Sequence, residues 1–81
     1  MYIQDAIDIL NQIEQDDTVP KNIRYKVKEA SALLQDGDGK VQQVKVDRII
    51  QELDDLGNDP NLPVYTRTQI WGVISSLESV Q

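Results

Sequence analysis

Apolar residues recur along this chain at the three-then-four spacing of a helix face, in four separate blocks. The first, Ile3, Ala6, Ile7, Leu10 and Ile13, predicts a helix from about Ile3 to about Gln15, with Ile9 widening the buried arc. The second is a narrower seam, Ile23, Val27, Ala30 and Leu34. It predicts a helix that begins near Val19-Pro20 and ends at Gln35, because proline is tolerated in a first turn where its missing N–H would have had no partner. Val46, Ile49, Ile50, Leu53 and Leu56 predict a third helix from about Val41 to about Leu56. Ile70, Val73, Ile74, Leu77 and Val80 share a face of a fourth, from about Leu62 to about Val80. No segment shows the apolar–polar alternation of a strand.

The breaks between these blocks carry the residues that end helices. Thr18 is expected to cap the second helix, and Asp16 and Asp17 favour the positive end of its dipole. Asp36-Gly37-Asp38-Gly39 supplies two flexible glycines, one of them expected as a left-handed cap. Gly57 stands where a left-handed C′ glycine belongs, and Asn61 is expected to cap the fourth helix as Thr18 caps the second.

The blocks also repeat. Ile9-Leu10-Asn11-Gln12-Ile13-Glu14 is echoed forty positions on by Ile49-Ile50-Gln51-Glu52-Leu53-Asp54. Val19-Pro20 is echoed by Leu62-Pro63, and each proline is followed four residues later by an arginine, Arg24 or Arg67. The seam Val27, Ala30, Leu34 then returns as Ile70, Val73, Leu77. One such repeat cannot bury its apolar face alone. The expected fold is therefore all-α: a single helical domain over 1–81, an up-and-down four-helix bundle built from two pseudo-repeated αα-hairpins, about 3–35 and about 41–80.

Composition removes function classes more readily than it assigns one. At 81 residues the chain buries only about 60% of its unfolded surface, so self-association would help it. Without cysteine or histidine it has no disulfide and no plausible zinc site, and the lack of cysteine fits a reducing cytoplasm. No apolar run approaches the ~18 residues of a membrane span, and Met1 to Asp5 lacks a basic or apolar leader. The net charge of −6 argues against a general nucleic-acid binder.

Asp36-Gly37-Asp38-Gly39-Lys40 resembles a calcium loop only at its start. The sixth position is Val41 rather than glycine and the twelfth is Asp47 rather than glutamate. Gly37, Gly39, Gly57 and Gly72 begin no phosphate-binding loop, and there is no Gly-x-Ser-x-Gly. The chain is read as having no catalytic residues, no metal, no cofactor and no small-molecule substrate.

Three constellations remain. Arg24 and Arg67 each place a cation in a first helical turn, against the dipole; Asp17 and Asp59 in the adjacent breaks could receive them as a structural brace. Lys21, Arg24, Tyr25 and Lys28 share the face of the second helix opposite its seam, where basic residues interleaved with an aromatic could hold an anion or nucleic acid. Trp71 and Val64 lie together off the centre of the fourth helix's stripe and, with Val41 and Val44, form a candidate protein interface.

The stretches Asp17-Thr18-Val19-Pro20-Lys21-Asn22-Ile23-Arg24 and Asn58 to Trp71 (NDPNLPVYTRTQIW) resemble a small archaeal family known only as one of the uncharacterised UPF series. The resemblance covers nearly the whole chain. It implies a four-helix up-and-down bundle and a cytoplasmic archaeal protein, and it carries no activity or ligand. The function expected from the residues is a small structural or protein-interaction module that self-associates, as a homo-oligomer or with another protein. The alternative is an accessory nucleic-acid-associated protein using the basic face of the second helix.

Overall fold

The computed structural model describes residues 3–35 and 43–79. The Asp36 to Lys40 loop, Val41 and Val80 lie outside the described residues. Four helices follow in order: α1 (Ile3–Glu14), α2 (Lys21–Gln35), α3 (Gln43–Gly57) and α4 (Val64–Ser79). Each packs on its neighbours around a closed square, α1 on α2, α2 on α3, α3 on α4 and α4 on α1. That arrangement is the expected all-α bundle, 32 Å long.

The core is the four stripes turned inward. Leu10, Ile13, Ile23, Val27, Ile49, Leu53, Ile70, Val73 and Leu77 are essentially inaccessible to solvent. Ile9 and Ile50 are partly covered at its margin. Val19 and Leu62 are buried although neither is helical; each lies in a corner between helices and closes the same end of the bundle. Burying a side chain of this size stabilises by about 1.5–3 kcal/mol, which makes these two residues the plugs of that end.

The repeat is real but its register differs from the forty-residue echo. The two corners match at a spacing of 43 positions. The Asp16 N–H donates to the Ile13 carbonyl at 3.1 Å, and Asp59 to Leu56 at 3.1 Å. Val19 N–H donates to Asp16, and Leu62 N–H to Asp59, both at 3.1 Å. The first helical bonds of α2 and α4 run from Arg24 to Pro20 and from Arg67 to Pro63. Buried Leu10 and Ile13 thus correspond to buried Leu53 and Leu56. The forty-residue echo instead pairs half-covered Ile9 with buried Ile49 and buried Leu10 with half-covered Ile50, and of its apolar pairs only Ile13 and Leu53 are both buried.

Three expected helix ends are corrected. Thr18 and Asn61 are not the caps; they sit inside the corners, and Pro20 and Pro63 supply the carbonyls that open α2 and α4. The corners are instead organised by aspartate. Asp16 Oδ1 accepts the Thr18 N–H at 2.9 Å and its hydroxyl at 2.6 Å, and Asp59 Oδ1 accepts the Asn61 N–H at 2.9 Å. Gly57 is the last residue of α3 rather than a left-handed residue beyond it. Its lack of a side chain serves a different purpose, described next.

Candidate functional site

The two arginines sit at the same place in each repeat and close different contacts. Arg67 crosses from α4 to the end of α3: Nε donates to the Gly57 carbonyl at 2.9 Å and Nη2 to the Asp59 carbonyl at 3.2 Å. The last carbonyls of a helix lack intrahelical partners and carry partial negative charge, so the cation is delivered to a C-terminus rather than left opposing its own helix. Arg24 donates through Nε to Val19 O at 3.1 Å, while Nη1 lies 3.7 Å from the Asp17 carboxylate, which is 99% exposed. Asp59 meets Arg67 through its backbone oxygen, its carboxylate being taken by Asn61. The expectation of two matching arginine–carboxylate pairs is replaced by two different arginine–carbonyl contacts, of which only Arg24 adds a loose ion pair.

Trp71 lies one turn beyond Arg67 and covers the same glycine. A Cβ on Gly57 would stand 3.2 Å from Trp71 Cζ2 and 3.3 Å from Cη2. The ring therefore packs on bare backbone, and 40% of the residue stays exposed. The sequence signal for this was present, a buried glycine spaced from the sole tryptophan across one corner, but glycine before a turn reads first as a left-handed cap.

Beyond Trp71 the outer face of α4 is unlike the rest of the surface. Val64 is 75% exposed and Tyr65 69% exposed. Thr68, Gly72 and Ser75 are the further solvent-facing positions before exposed Glu78 and Ser79 at the end of the helix, and Arg67 is turned to the α3 terminus, so from Val64 to Ser76 the outward positions carry no charge. On this face Thr68 Oγ1 donates to Val64 O at 3.2 Å, and behind it buried Ser76 Oγ donates to Gly72 O at 2.9 Å. The helix-3 part of the expected patch does not join it. Val44 is exposed in the first turn of α3, while α4 begins beside the end of α3. Val44 and Gly57 are thirteen positions apart in α3, about 20 Å along the helix. Val41 lies outside the described residues.

The basic face of α2 is intermingled with carboxylates. Lys21, Tyr25 and Lys28 are exposed and Arg24 is half-buried in its corner. Lys28 lines an open groove of about 830 Å³ together with Glu14, Glu29, Arg48 and Glu52. A smaller groove of about 260 Å³ between α2 and α3 is walled by Lys26, Glu29, Glu52, Asp55 and Asp59. Asp16, in neither groove, is held below its ordinary carboxylate value by the Thr18 hydroxyl, then by the Thr18 N–H, with Arg24 adding a smaller pull. That direction is the opposite of what a general acid needs. Among the described residues no group of three or more acidic side chains could hold a metal ion, and no helix is long and apolar enough to cross a membrane.

Comparison with known proteins agrees with this architecture. The family model described as "Uncharacterised protein family (UPF0147)" matches residues 1–80, and the chain belongs to that family. A UPF0147 protein of Methanocaldococcus jannaschii is 43% identical over 74 residues, 90% of this chain and 77% of the relative. One from Methanothermobacter thermautotrophicus is 38% identical over 91% of this chain and 72% of the relative. The crystal structure of the unknown-function protein MMP1188 superposes with a TM-score of 0.85 at 39% identity, covering 98% of this chain and 89% of that one.

Proposed function

We propose, for this member of the UPF0147 family, a non-enzymatic protein-interaction module whose working surface is the outer face of α4. The observation that carries the reading is the partly apolar outward face from Val64 to Ser75, free of charge once Arg67 has turned to the α3 terminus, with Trp71 half-exposed at its edge, on a chain of net charge −6. A half-covered tryptophan on a rigid helix is the kind of anchor on which protein interfaces concentrate their energy. Carboxylates elsewhere keep the molecule soluble and repel unselected contacts, leaving this face as the surface of least electrostatic resistance. The same reading puts the chain in the cytoplasm, with support from its cysteine-free sequence.

The test is a comparison of baits in extract of the native host. Wild-type chain and Val64→Glu are immobilised, and retained material is analysed with and without nuclease. The reading requires protein that wild-type retains after nuclease and Val64→Glu loses. Retention that disappears with nuclease, or that needs Lys21 and Lys28 rather than Val64, would transfer the function to the basic face of α2.

A further inference from the structure

The α4 face contains a glycine that its own fold does not explain. Gly72 is exposed in the middle of the helix, has no left-handed backbone, and a Cβ built on it meets nothing within 4 Å. Glycine inside a helix is destabilising by about 1 kcal/mol relative to alanine. Gly57, by contrast, is needed because Trp71 lies against it. Something outside the molecule is the remaining reason for a notch at Gly72.

We propose that the notch receives a second copy of this chain, through an antiparallel contact of α4 on α4 centred on Thr68. This rests on the reading of α4 as the interaction surface and names its occupant. At 100° per residue, Val64 and Trp71 are about 20° apart on the helix, on the flank toward α3. Tyr65 and Gly72 are also about 20° apart, on the opposite flank. Each pair is separated by seven residues, and their midpoints, one between Arg67 and Thr68 and the other between Thr68 and Gln69, straddle Thr68. In a two-fold antiparallel contact about Thr68, residues of one flank at nearly equal distances on either side of the centre, within one residue or about 1.5 Å, oppose each other. Val64 then packs on the second copy's Trp71, and Tyr65 lays its ring in the second copy's Gly72 notch, each contact made twice.

Charge selects the same occupant. Two chains of net charge −6 repel, and a face without carboxylates is where that repulsion opposes their approach least. From Val64 to Ser76 the two opposed faces present none to each other. A basic partner would find no anion to hold on this surface. The contact is one helix face on each side, at the small end of specific interfaces, so association belongs in the micromolar range.

The chain has no cysteine, which makes a single engineered thiol an unambiguous probe. Thr68→Cys lies on the proposed axis and should oxidise to a disulfide-linked dimer at micromolar concentration. Val44→Cys, also exposed but at the far end of α3, should not. Sedimentation of the wild-type chain should show a concentration-dependent dimer. Gly72→Leu should weaken it about ten-fold or more while the variant melts at a higher temperature, since Gly72 has open space and poor helix propensity. A wild-type chain monomeric up to millimolar concentration overturns the second copy as occupant, whereas loss of protein capture by Val64→Glu would still uphold the α4 surface. A dimer that survives Gly72→Leu and cross-links no better through Thr68→Cys than through Val44→Cys overturns the assigned face.

Discussion

Arg24 and Arg67 hold equivalent positions in the two repeats, yet they reach for different things. Arg67 ties α4 to the C-terminus of α3 through two carbonyls, and Trp71 lies beside it on Gly57. Arg24 contacts one carbonyl in its own corner and a carboxylate that solvent surrounds. At the spacing of 43, hairpin one has Glu14 where hairpin two has Gly57, and Lys28 where it has Trp71. One corner keeps charged residues at these positions; the other has traded them for a tryptophan packed on bare backbone. The backbone of the repeat therefore needs only the shared bonds of the aspartate corner and the proline carbonyl. What lies over that backbone is free to diverge, and the diverged corner is the one beside the exposed α4 face.

The shared part is the place to try to break the comparison. Leu10 and Leu53 are equivalent and both fully buried. Leu10→Ala and Leu53→Ala should each cost about 2–5 kcal/mol, and by similar amounts. Urea titration of the two variants measures this, and a large inequality would mean that the halves do not share one core. The arginines should then separate. Arg67→Ala should cost about 2 kcal/mol because charge-assisted bonds to a helix end are lost at a partly buried site. Arg24→Ala should cost about 1 kcal/mol, since its ion pair is exposed and only one carbonyl is at stake.

Most of the fold was legible because burial and periodicity are the same fact seen twice. Apart from Ile3 and Val80, whose side chains lie outside the description, the residues of the four expected stripes are buried or packed at the core margin. Val19 and Leu62 were visible as apolar–proline pairs, but nothing in their spacing told plug from first helical turn. The corners were harder to read. A threonine or asparagine before a helix signals a cap, and an arginine near an aspartate signals an ion pair, yet both signals describe side chains competing for the same few backbone groups. Asp16 and Asp59 took the N–H groups that opened the turn, which left Arg67 the carbonyls. The candidate interface was half legible: Trp71 and Val64 share a helix face by simple angle, but joining Val44 to them needs the direction of α3, which helix phase alone does not give.

The exchanged pair can be put back. Gly57→Glu alone should drive a side chain into the Trp71 ring and cost about 1–3 kcal/mol. Gly57→Glu with Trp71→Lys reproduces the Glu14 and Lys28 of hairpin one, and the double variant should recover about 1 kcal/mol of that loss in a double-mutant cycle. Additive costs would show that ring and glycine are not coupled. A smaller asymmetry lies within the core. Thr66, the counterpart of Ile23, is fully buried and its hydroxyl has no hydrogen-bond partner. Thr66→Val keeps the shape and removes the unsatisfied group, so it should raise stability by about 1 kcal/mol, read as a shift in the urea midpoint with an unchanged slope.

The aspartates of the two corners differ least, and acid should expose the difference. Asp16 accepts two bonds from Thr18, whereas the Asp59 carboxylate accepts the Asn61 N–H. The Thr18 bonds hold the Asp16 carboxyl below its ordinary value, so the folded state prefers it ionised more than the unfolded chain does. The sign follows from linkage: this contribution is complete above the ordinary carboxylate range, near pH 4, and is lost as the pH falls through the lowered value. Asp16→Asn should therefore destabilise slightly at neutral pH and match the wild-type chain in strong acid. Asp59→Asn should show a smaller neutral-pH effect. An Asp16→Asn deficit that persists unchanged into strong acid would mean that the Thr18 bonds do not favour the ionised Asp16 carboxyl.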